Sequence, residues 1–385
     1  MKQGILSGKL KQLKTSKRRH IMTKVNRVIT FPEPRRIEIV ERPYPRIKPG
    51  FALVKQIITP MCMEYQIYDD FSFEPGADAF NQGHEGVGEV IEVAESSRFK
   101  VGDRVMIWDG QMCGECWPCM NFVSVTHCEK RGYISEEGMW LGVEKDCESE
   151  SGGFGFSEYR IAPEYMTMKI PDELSYKHAA AAGCLCGCTY TAVEVLGVKA
   201  GDWVLVGGIG FVGMGVIINA KYRGAKVIAL GRNEFRMDIS RQLGADYVLN
   251  PDDPEWYDKV LELTGYLRGV DNAFECSGYP YYQSRCLQAL RQYGKIFLLG
   301  HVPESDERWP IHAKNEIINK HVTMTGGHDV YITHRPGLMA MLCDEDVQRK
   351  VDIAVTHEFP WSRLKDAFET ALTKKCGKIY LNPFE

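Results

Sequence analysis

Short hydrophobic runs of β type, separated by turn residues, characterise the first part of the chain, from about Val25 to Ala162. Such runs include Phe51–Val54, Gly88–Val93 and Asp103–Ile107, with Gly, Pro and Asp residues between them. Closely spaced strands with turn signals are typical of antiparallel or barrel-like structures. The pattern therefore predicts a β-rich domain in this region.

After about Ala179 the hydrophobic runs alternate with helix-like stretches. An apolar run at 204–206 enters a glycine cluster and a helical stretch, and later runs and helices follow in alternation at 226–230, 247–249, 255–263, 270–274, 281–291 and 295–299. Strands that alternate with helices form βαβ units and a parallel sheet. We therefore predict an α/β protein in which a doubly wound parallel sheet follows the β-rich part. The C-terminal residues again form mixed short elements.

Composition places the chain among ordinary globular proteins. It has 385 residues, 44% hydrophobic and 25% charged, which is enough for two domains with packed cores. The formal net charge of −4 argues against a nucleic-acid partner or a membrane surface. A run of about 18 apolar residues, as a transmembrane helix requires, is missing from the sequence.

The first 21 residues are basic and are left out of the fold prediction. They contain seven Lys or Arg residues, no acidic residue and no apolar stretch typical of a secretory signal. An upstream start codon with Met22 as the true start, a flexible basic arm and an organelle transit peptide all fit, and we favour the first two. Without an export signal, the 13 cysteines indicate thiols or metal ligands rather than disulfides, and we expect a cytoplasmic protein.

A glycine-rich loop indicates a dinucleotide site. The segment Gly208-Ile209-Gly210-Phe211-Val212-Gly213 follows a predicted strand and precedes a predicted helix, so the helix N-terminus would face a pyrophosphate. At the end of the second strand, where NAD-binding proteins carry an acidic residue, the chain reads Gly231-Arg232-Asn233. Glycine leaves room for a 2′-phosphate and arginine supplies a counter-charge, which favours NADP(H). The alternative is NAD(H), with Arg232 over the adenine and Glu234 on the ribose.

Four cysteines in a short, turn-rich segment indicate a structural zinc site. Tetrahedral structural zinc is commonly held by four thiolates at such close spacing. His127 is the alternative fourth ligand, and an iron–sulfur cluster fits the remaining features poorly. The predicted ligands are Cys113, Cys116, Cys119 and Cys128.

Several motifs together resemble the zinc-containing medium-chain alcohol dehydrogenases. They are the cysteine segment, the glycine loop, Gly83–Val90, Val101–Val105 and Gly152–Tyr159, which occur in the family's order. The resemblance implies a GroES-like catalytic domain in 22–180 and 330–385, and a Rossmann domain in 181–329. It also implies hydride transfer between an alcohol or carbonyl compound and a nicotinamide cofactor, and a homodimer or homotetramer.

The resemblance further implies a catalytic zinc site. Its ligands would be Cys62, His84 and Cys184, with Glu85 as a further ligand or a neighbouring carboxylate. Cys184 is chosen because the segment Tyr190-Thr191-Ala192 follows it at the family's spacing; Cys186 and Cys188 are the competing choices. Two thiolates and one imidazole with one open position suit a Lewis-acid zinc.

One position departs from the family. A Ser or Thr that relays the alcohol proton usually follows the first cysteine, and an Asp comes next; here Glu64 and Tyr65 occupy these places. Carboxylates and phenols both transfer protons when their pKa values are tuned. Either residue therefore remains a candidate proton carrier, and a solvated charge is the alternative for Glu64.

Assignments around the cofactor and the substrate rest on fewer signals. Thr189, Cys276 and Gly300 are predicted to face the nicotinamide, and Lys378 to reach the pyrophosphate. Asp109 and Gln111, after Trp108, would suit a hydroxyl-rich substrate if they face the pocket, which favours a polyol, cyclitol or sugar-like secondary alcohol. The competing functions are a zinc-independent enone or quinone reductase and a non-catalytic NADPH-binding redox sensor or structural relative.

Overall fold

The structure is a computed structural model that describes residues 24–47, 49–70, 83–108, 114–121, 128–129, 155–301 and 307–384. Three of the predicted features lie outside these residues, at least in part. They are the basic segment 1–21, the zinc-ligand candidates Cys113 and His127, and the pocket candidates Asp109 and Gln111.

The N-terminal part is built from antiparallel strands, as the short β-type runs predict. Strands β1 and β2 form a separate two-stranded sheet, and short helices connect the later strands. The elements are β1 (Val25–Glu33), β2 (Arg36–Pro43), β3 (Phe51–Met61), α1 (Glu64–Asp70), β4 (Gly86–Val93), β5 (Arg104–Ile107), α2 (Trp117–Met120), β6 (Tyr159–Pro163), β7 (Thr167–Lys169), α3 (Tyr176–Ala180) and α4 (Gly187–Leu196).

A parallel sheet with helices forms the second part. Its strands lie in the order β10-β9-β8-β11-β12-β13, which is the strand order of the doubly wound dinucleotide-binding fold. Every residue of its central strand β8 is buried, as expected where helices cover both faces of a sheet. The elements are β8 (Trp203–Gly207), α5 (Phe211–Tyr222), β9 (Lys226–Leu230), α6 (Glu234–Gln242), β10 (Tyr247–Leu249), α7 (Trp256–Thr264), β11 (Val270–Glu275), α8 (Pro280–Ala289), β12 (Leu290–Leu298) and β13 (Thr323–Gly326).

The C-terminal elements join the larger sheet of the N-terminal part, which contains β3, β4, β5 and β7 and is called the first sheet. Strand β15 pairs in antiparallel register with β3, so that Ile379 lies opposite Met61, and β14 adds beside β15. Phe368 packs edge-on against Phe31 of β1, with the ring centroids 5.2 Å apart. The elements are α9 (Arg335–Leu342), α10 (Glu345–Ala354), β14 (Val355–Pro360), α11 (Leu364–Leu372) and β15 (Lys378–Asn382), and shorter helical turns occur at Glu164–Met166, Gly265–Leu267, Ala313–Ile318, Ile332–His334 and Trp361–Arg363.

A large hydrophobic core joins the two parts. It runs from Val87 of β4 through α3 and α4 to α5 of the parallel sheet and on to α9 and α10. Residues of both parts also line a cleft. Because the two parts share this core, each wall of the cleft has a rigid support. The α/β fold class is confirmed, with a β-rich and a doubly wound part. No helix in the described ranges has the length and apolar character needed to cross a bilayer.

Candidate active site

Strand pairing brings the predicted metal ligands to one end of the first sheet. Cys62 follows β3 directly, and His84 and Glu85 directly precede β4, which is the antiparallel partner of β3. Cys184 lies in the turn between α3 and α4, at the edge of the same cleft. Residues that are far apart in the sequence thus meet because β3 is a central strand.

The four side chains form a metal-binding constellation. The donor atoms of Cys62, His84, Glu85 and Cys184 all lie within 4.8 Å of one another. His84 Nε2 is 3.2 Å from Cys184 Sγ. Two thiols, an imidazole and a carboxylate at these separations fit zinc, which prefers sulfur and nitrogen donors in tetrahedral geometry.

Of the three neighbouring cysteines considered as metal ligands, the structure places one in the constellation. Cys184 belongs to the constellation, whereas Cys186 is fully buried in the core and is not a member. Burial raises the pKa of the Cys186 thiol to about 12, as expected for an apolar environment. Cys188 donates its thiol to the carbonyl oxygen of Cys184 at 3.1 Å.

Glu64 contacts His84, the histidine among the candidate metal ligands. One carboxylate oxygen lies 3.0 Å from His84 Nδ1, and the other accepts the backbone N–H of Cys62 at 2.6 Å. Burial by itself would raise the pKa of the Glu64 carboxyl, but His84 and the backbone hydrogen bonds hold the pKa below its usual value. A carboxylate on Nδ1 leaves Nε2 free for a metal and fixes the ring.

This geometry changes the interpretation of the departure at positions 64 and 65. Glu64 is only 3% exposed and both of its oxygens are occupied, so its place is that of a histidine-orienting group rather than of a proton carrier or a solvated charge. Tyr65 lines the cleft and packs against the core around Phe368. Burial raises the pKa of the Tyr65 phenol, which makes it a weaker proton donor.

Glu85 is held by a buried lysine. Lys378 Nζ donates to Glu85 Oε1 at 2.5 Å, and Glu85 Oε2 accepts the backbone N–H of Cys184 at 2.9 Å. Burial would lower the pKa of Lys378, but Glu85 and the thiols of Cys62 and Cys184 raise it. The prediction that Lys378 reaches the pyrophosphate is not supported, because its charge is already paired.

The glycine loop has the geometry of a phosphate cradle. It joins β8 to α5, and Gly210 caps this helix without a side chain of its own over the N-terminal N–H groups. A Cβ atom at Gly213 would lie 2.1 Å from the carbonyl oxygen of Gly208, so only glycine allows this close turn. Free N–H groups at a helix N-terminus bind anions, and the loop lines the same cleft as the thiols.

The structure sorts the remaining cofactor candidates into two groups. Cys276, Arg232 and Asn233 line the cleft together with Phe211 and Val212 of the loop. Thr189 does not: it is fully buried, donates to the carbonyl of Leu185 and accepts from Asn219 of α5. The prediction that Thr189 faces the nicotinamide is therefore wrong in this structure, because its face of α4 packs on α5.

Gly300 and Gly231 are close-packed backbone positions beside the cleft. A Cβ atom at Gly300 would lie 1.9 Å from the backbone nitrogen of Gly278, so this glycine allows two loops to touch. Its neighbours Leu299 and His301 line the cleft. Two arginines that the sequence pattern did not identify, Arg236 and Arg335, line it as well.

A second cluster of cysteine side chains lies in the cysteine-rich segment. The sulfurs of Cys116, Cys119 and Cys128 lie within 4.8 Å of one another, and all three residues are buried. The predicted fourth ligand lies outside the described residues. Three converging thiols suit structural zinc.

Comparison with known proteins identifies the family. The alcohol dehydrogenase GroES-like domain matches residues 49–172, and the zinc-binding dehydrogenase family matches residues 212–335. An alcohol dehydrogenase from Geobacillus stearothermophilus is 32% identical over 71% of this chain and 76% of that protein. The chain belongs to the zinc-containing medium-chain alcohol dehydrogenases.

Other relatives cover nearly the whole chain. The L-threonine 3-dehydrogenase of Pyrococcus furiosus is 29% identical over 89% of this chain and 94% of that protein. The structure of 2R,3R-butanediol dehydrogenase from Bacillus subtilis has 27% sequence identity and a TM-score of 0.73, and covers 93% of this chain and 99% of that one. The resemblance stated from the motifs is thus confirmed, and so is the assignment as a zinc-type alcohol dehydrogenase.

We expect Cys184→Ser and Cys186→Ser to differ in metal content. Cys184→Ser removes a thiol from the constellation and is expected to reduce bound zinc by one ion per chain, whereas Cys186→Ser is expected to keep the wild-type content. Zinc per chain is measured by mass spectrometry on purified proteins. Loss of zinc from Cys186→Ser but not from Cys184→Ser would contradict Cys184 as the ligand and identify Cys186 instead.

Replacing Glu64 is expected to weaken the metal site. Loss of a carboxylate behind a metal-ligand histidine typically reduces metal affinity about 10- to 100-fold, and we expect this effect for Glu64→Gln. Tyr65→Phe, which changes the neighbouring side chain but no contact of His84, is the matched control. Competition with a zinc chelator measures both affinities, and equal affinities in the two variants would contradict the positioning role of Glu64.

Proposed function

We propose that this chain catalyses zinc-dependent hydride transfer between NADP(H) and a secondary alcohol or its ketone. The observation that supports this most directly is that the four-residue metal constellation and the glycine loop line one cavity of about 950 Å³. When bound, zinc supplies a Lewis acid and the nicotinamide nucleotide supplies a hydride donor or acceptor. The volume is sufficient for both a nucleotide end and a small substrate.

The residues of the chain divide the work within this cavity. Cys62, His84 and Cys184 would hold the metal, while Glu64 orients the imidazole and Lys378 neutralises Glu85. The N–H groups at the start of α5 would bind the pyrophosphate. Cys276 and His301 line the cavity beyond the glycine loop, where a nicotinamide ring would meet the substrate. We also propose that the protein forms a homo-oligomer, a dimer or tetramer.

The side chains after β9 support NADP(H) over NAD(H). A Cβ atom at Gly231 would lie 2.1 Å from Ile209 Cδ1, so an acidic residue at this position requires the Ile209 side chain to move. Arg232, Arg236 and Lys374 contribute positive charge to this end of the cavity. An acidic residue, Asp252, lies 3.9 Å from Arg232, and the Arg232 side chain is 56% exposed. A 2′-phosphate at the strand end would meet these cations, with Asp252 as the acidic group beside Arg232.

The substrate class follows from the relatives and from the cavity. The names of two relatives specify threonine and 2R,3R-butanediol, both of which carry a secondary hydroxyl beside a second polar group. The cavity of this chain offers polar side chains, among them His301, His328 and Asp329, in addition to the metal constellation. Both observations support a secondary alcohol with further polar groups, such as a polyol or sugar-like compound.

The competing functions differ from this proposal in what the site must contain. A zinc-independent reductase has no need for the buried Glu64–His84 and Lys378–Glu85 pairs that surround the thiols. A non-catalytic NADPH sensor would share the cofactor loop but would show no turnover.

Turnover on a panel of secondary alcohols and ketones tests the proposed reaction. We expect wild-type protein to transfer hydride with NADP(H), and Cys62→Ser to lose at least about a thousandfold in kcat while still binding NADPH, because the Lewis acid can contribute several kcal/mol. Absorbance at 340 nm measures turnover and nicotinamide fluorescence measures binding. Zinc-loaded wild-type protein without turnover on the whole panel would favour the sensor function, and an active Cys62→Ser would favour the reductase.

Substitution of Arg232 tests the cofactor preference. We expect Arg232→Ala to weaken NADPH binding about tenfold and to leave NADH binding nearly unchanged, because a charge-assisted contact with the 2′-phosphate is worth about 1.5 kcal/mol. Arg241→Ala is the control, since Arg241 lies on α6, the helix that follows Arg232, but pairs with Asp238. Tighter binding of NADH than of NADPH by wild-type protein would support the alternative with Glu234.

A further inference from the structure

A buried arginine forms part of the wall of the cavity that contains the candidate metal ligands. Arg335 begins α9 and is only 4% exposed, yet it lines the same cavity as Cys62, His84 and Cys184. Its guanidinium carbon lies 4.5 Å from the ring centroid of Trp108, a second cavity residue. The guanidinium is therefore fixed on a rigid support within the substrate cavity.

The contacts of Arg335 orient its side chain without neutralising its charge. Nη1 donates to the carbonyl oxygen of Tyr165 at 3.1 Å, and Nη2 faces the sulfur of Met166 at 3.5 Å. A thioether is a weak acceptor. Among the described residues, Nε has no hydrogen-bond partner although it is buried. One edge of the fork, formed by Nε and Nη2, thus lacks an oxygen acceptor.

No carboxylate in the described ranges pairs with Arg335. Burial, with a smaller contribution from the nearby cation Arg98, lowers the pKa of its guanidinium to about 10. Even so, the group stays protonated at neutral pH. Burying a charge without an ionic partner is strongly unfavourable, so such a group indicates a missing anion.

Three acidic residues that line the cavity have partners of their own. Glu64 contacts His84 and Glu85 contacts Lys378. Asp329 lies 4.0 Å from His328. The described part of the cavity therefore contains a buried guanidinium edge without an acidic partner, on a planar fork that matches the two oxygens of a carboxylate.

We propose that Arg335 binds the carboxylate of a hydroxy-acid substrate whose secondary hydroxyl is oxidised at the metal site. The inference rests on the proposed function and narrows the substrate from polar alcohols to alcohols that carry an acidic group. In the reaction the carbinol C–H delivers hydride to NADP⁺, the hydroxyl loses its proton to solvent and a keto acid results. The carboxylate itself does not react, so Arg335 determines specificity.

Matched pairs of compounds test this assignment with turnover. The pairs are gluconate with sorbitol, 3-hydroxybutyrate with 2-butanol, and glycerol 3-phosphate with glycerol. For wild-type protein we expect kcat/KM for gluconate and for 3-hydroxybutyrate to exceed that of the neutral partner at least tenfold, mainly through KM, whereas the phosphate pair is expected to show no such preference. In Arg335→Gln that ratio is expected to fall close to one, whereas Arg98→Gln, which removes the neighbouring exposed cation, keeps it.

A binding measurement tests the same contact without turnover. Protein saturated with NADPH is titrated with propionate, malonate and inorganic phosphate, with calorimetry as the readout. We expect propionate or malonate to bind wild-type protein and Arg98→Gln, and to bind Arg335→Gln at least tenfold more weakly. Arg335→Lys, which keeps the charge and loses the fork, is expected to fall between them. The affinity for NADPH and the melting temperature confirm that the variants are folded.

The outcomes separate the inference from the proposed function. Turnover of neutral alcohols with no preference for carboxylates, equal carboxylate binding in wild-type and Arg335→Gln proteins, or absence of carboxylate binding to the wild type would each overturn the role of Arg335 and leave the proposed function intact. Binding or preference confined to phosphate would replace the carboxylate with a phosphate ester and so overturn the proposal as stated. Arg335-dependent carboxylate binding without turnover of any alcohol would support the anion site and contradict the proposed reaction.

Discussion

Two buried carboxylates hold the metal constellation together. Glu64 connects His84 to the backbone of Cys62, and Glu85 connects Lys378 to the backbone of Cys184. Each carboxylate has both oxygens engaged, so neither leaves a buried charge without a partner. Through these contacts the ends of β3, β4 and β15 and the turn before α4 are held together around the metal constellation. The thiols and the imidazole can therefore converge on a metal without relying on flexible loops.

The cavity beside this point combines three charged regions with different tasks. Arg232, Arg236 and Lys374 supply positive charge where the adenosine end of a nucleotide would lie, and the start of α5 supplies N–H groups for the pyrophosphate. The metal constellation marks the reacting end. Arg335 adds a further cation on the wall formed by Trp108 and α9. This arrangement links the cofactor preference and the substrate class to separate side chains, which makes them separable by mutation.

Local patterns in the sequence were sufficient for the fold and for candidate metal ligands that the structure brings together. Short β-type runs, the alternation after Ala179 and the glycine loop are local signals, and the structure contains the elements they predict. The roles of Glu64, Thr189 and Lys378 depend on partners about 20 to 290 residues away, namely His84, Asn219 and Glu85. Motif spacing does not encode such pairings. Arg335 gave no signal in the sequence because its significance is the lack of a partner, which only the packing around it reveals.

Zinc-edge anomalous diffraction from crystals of the protein with NADPH would test the central claim most directly. The account predicts a zinc peak at bonding distance, about 2.0–2.4 Å, from Cys62 Sγ, Cys184 Sγ and His84 Nε2, with Glu64 on the opposite nitrogen of the ring. A peak at the group of Cys116, Cys119 and Cys128 but none beside His84 would contradict it. So would a metal bound through Nδ1 with Glu64 displaced from the ring, because the carboxylate would then not position the ligand.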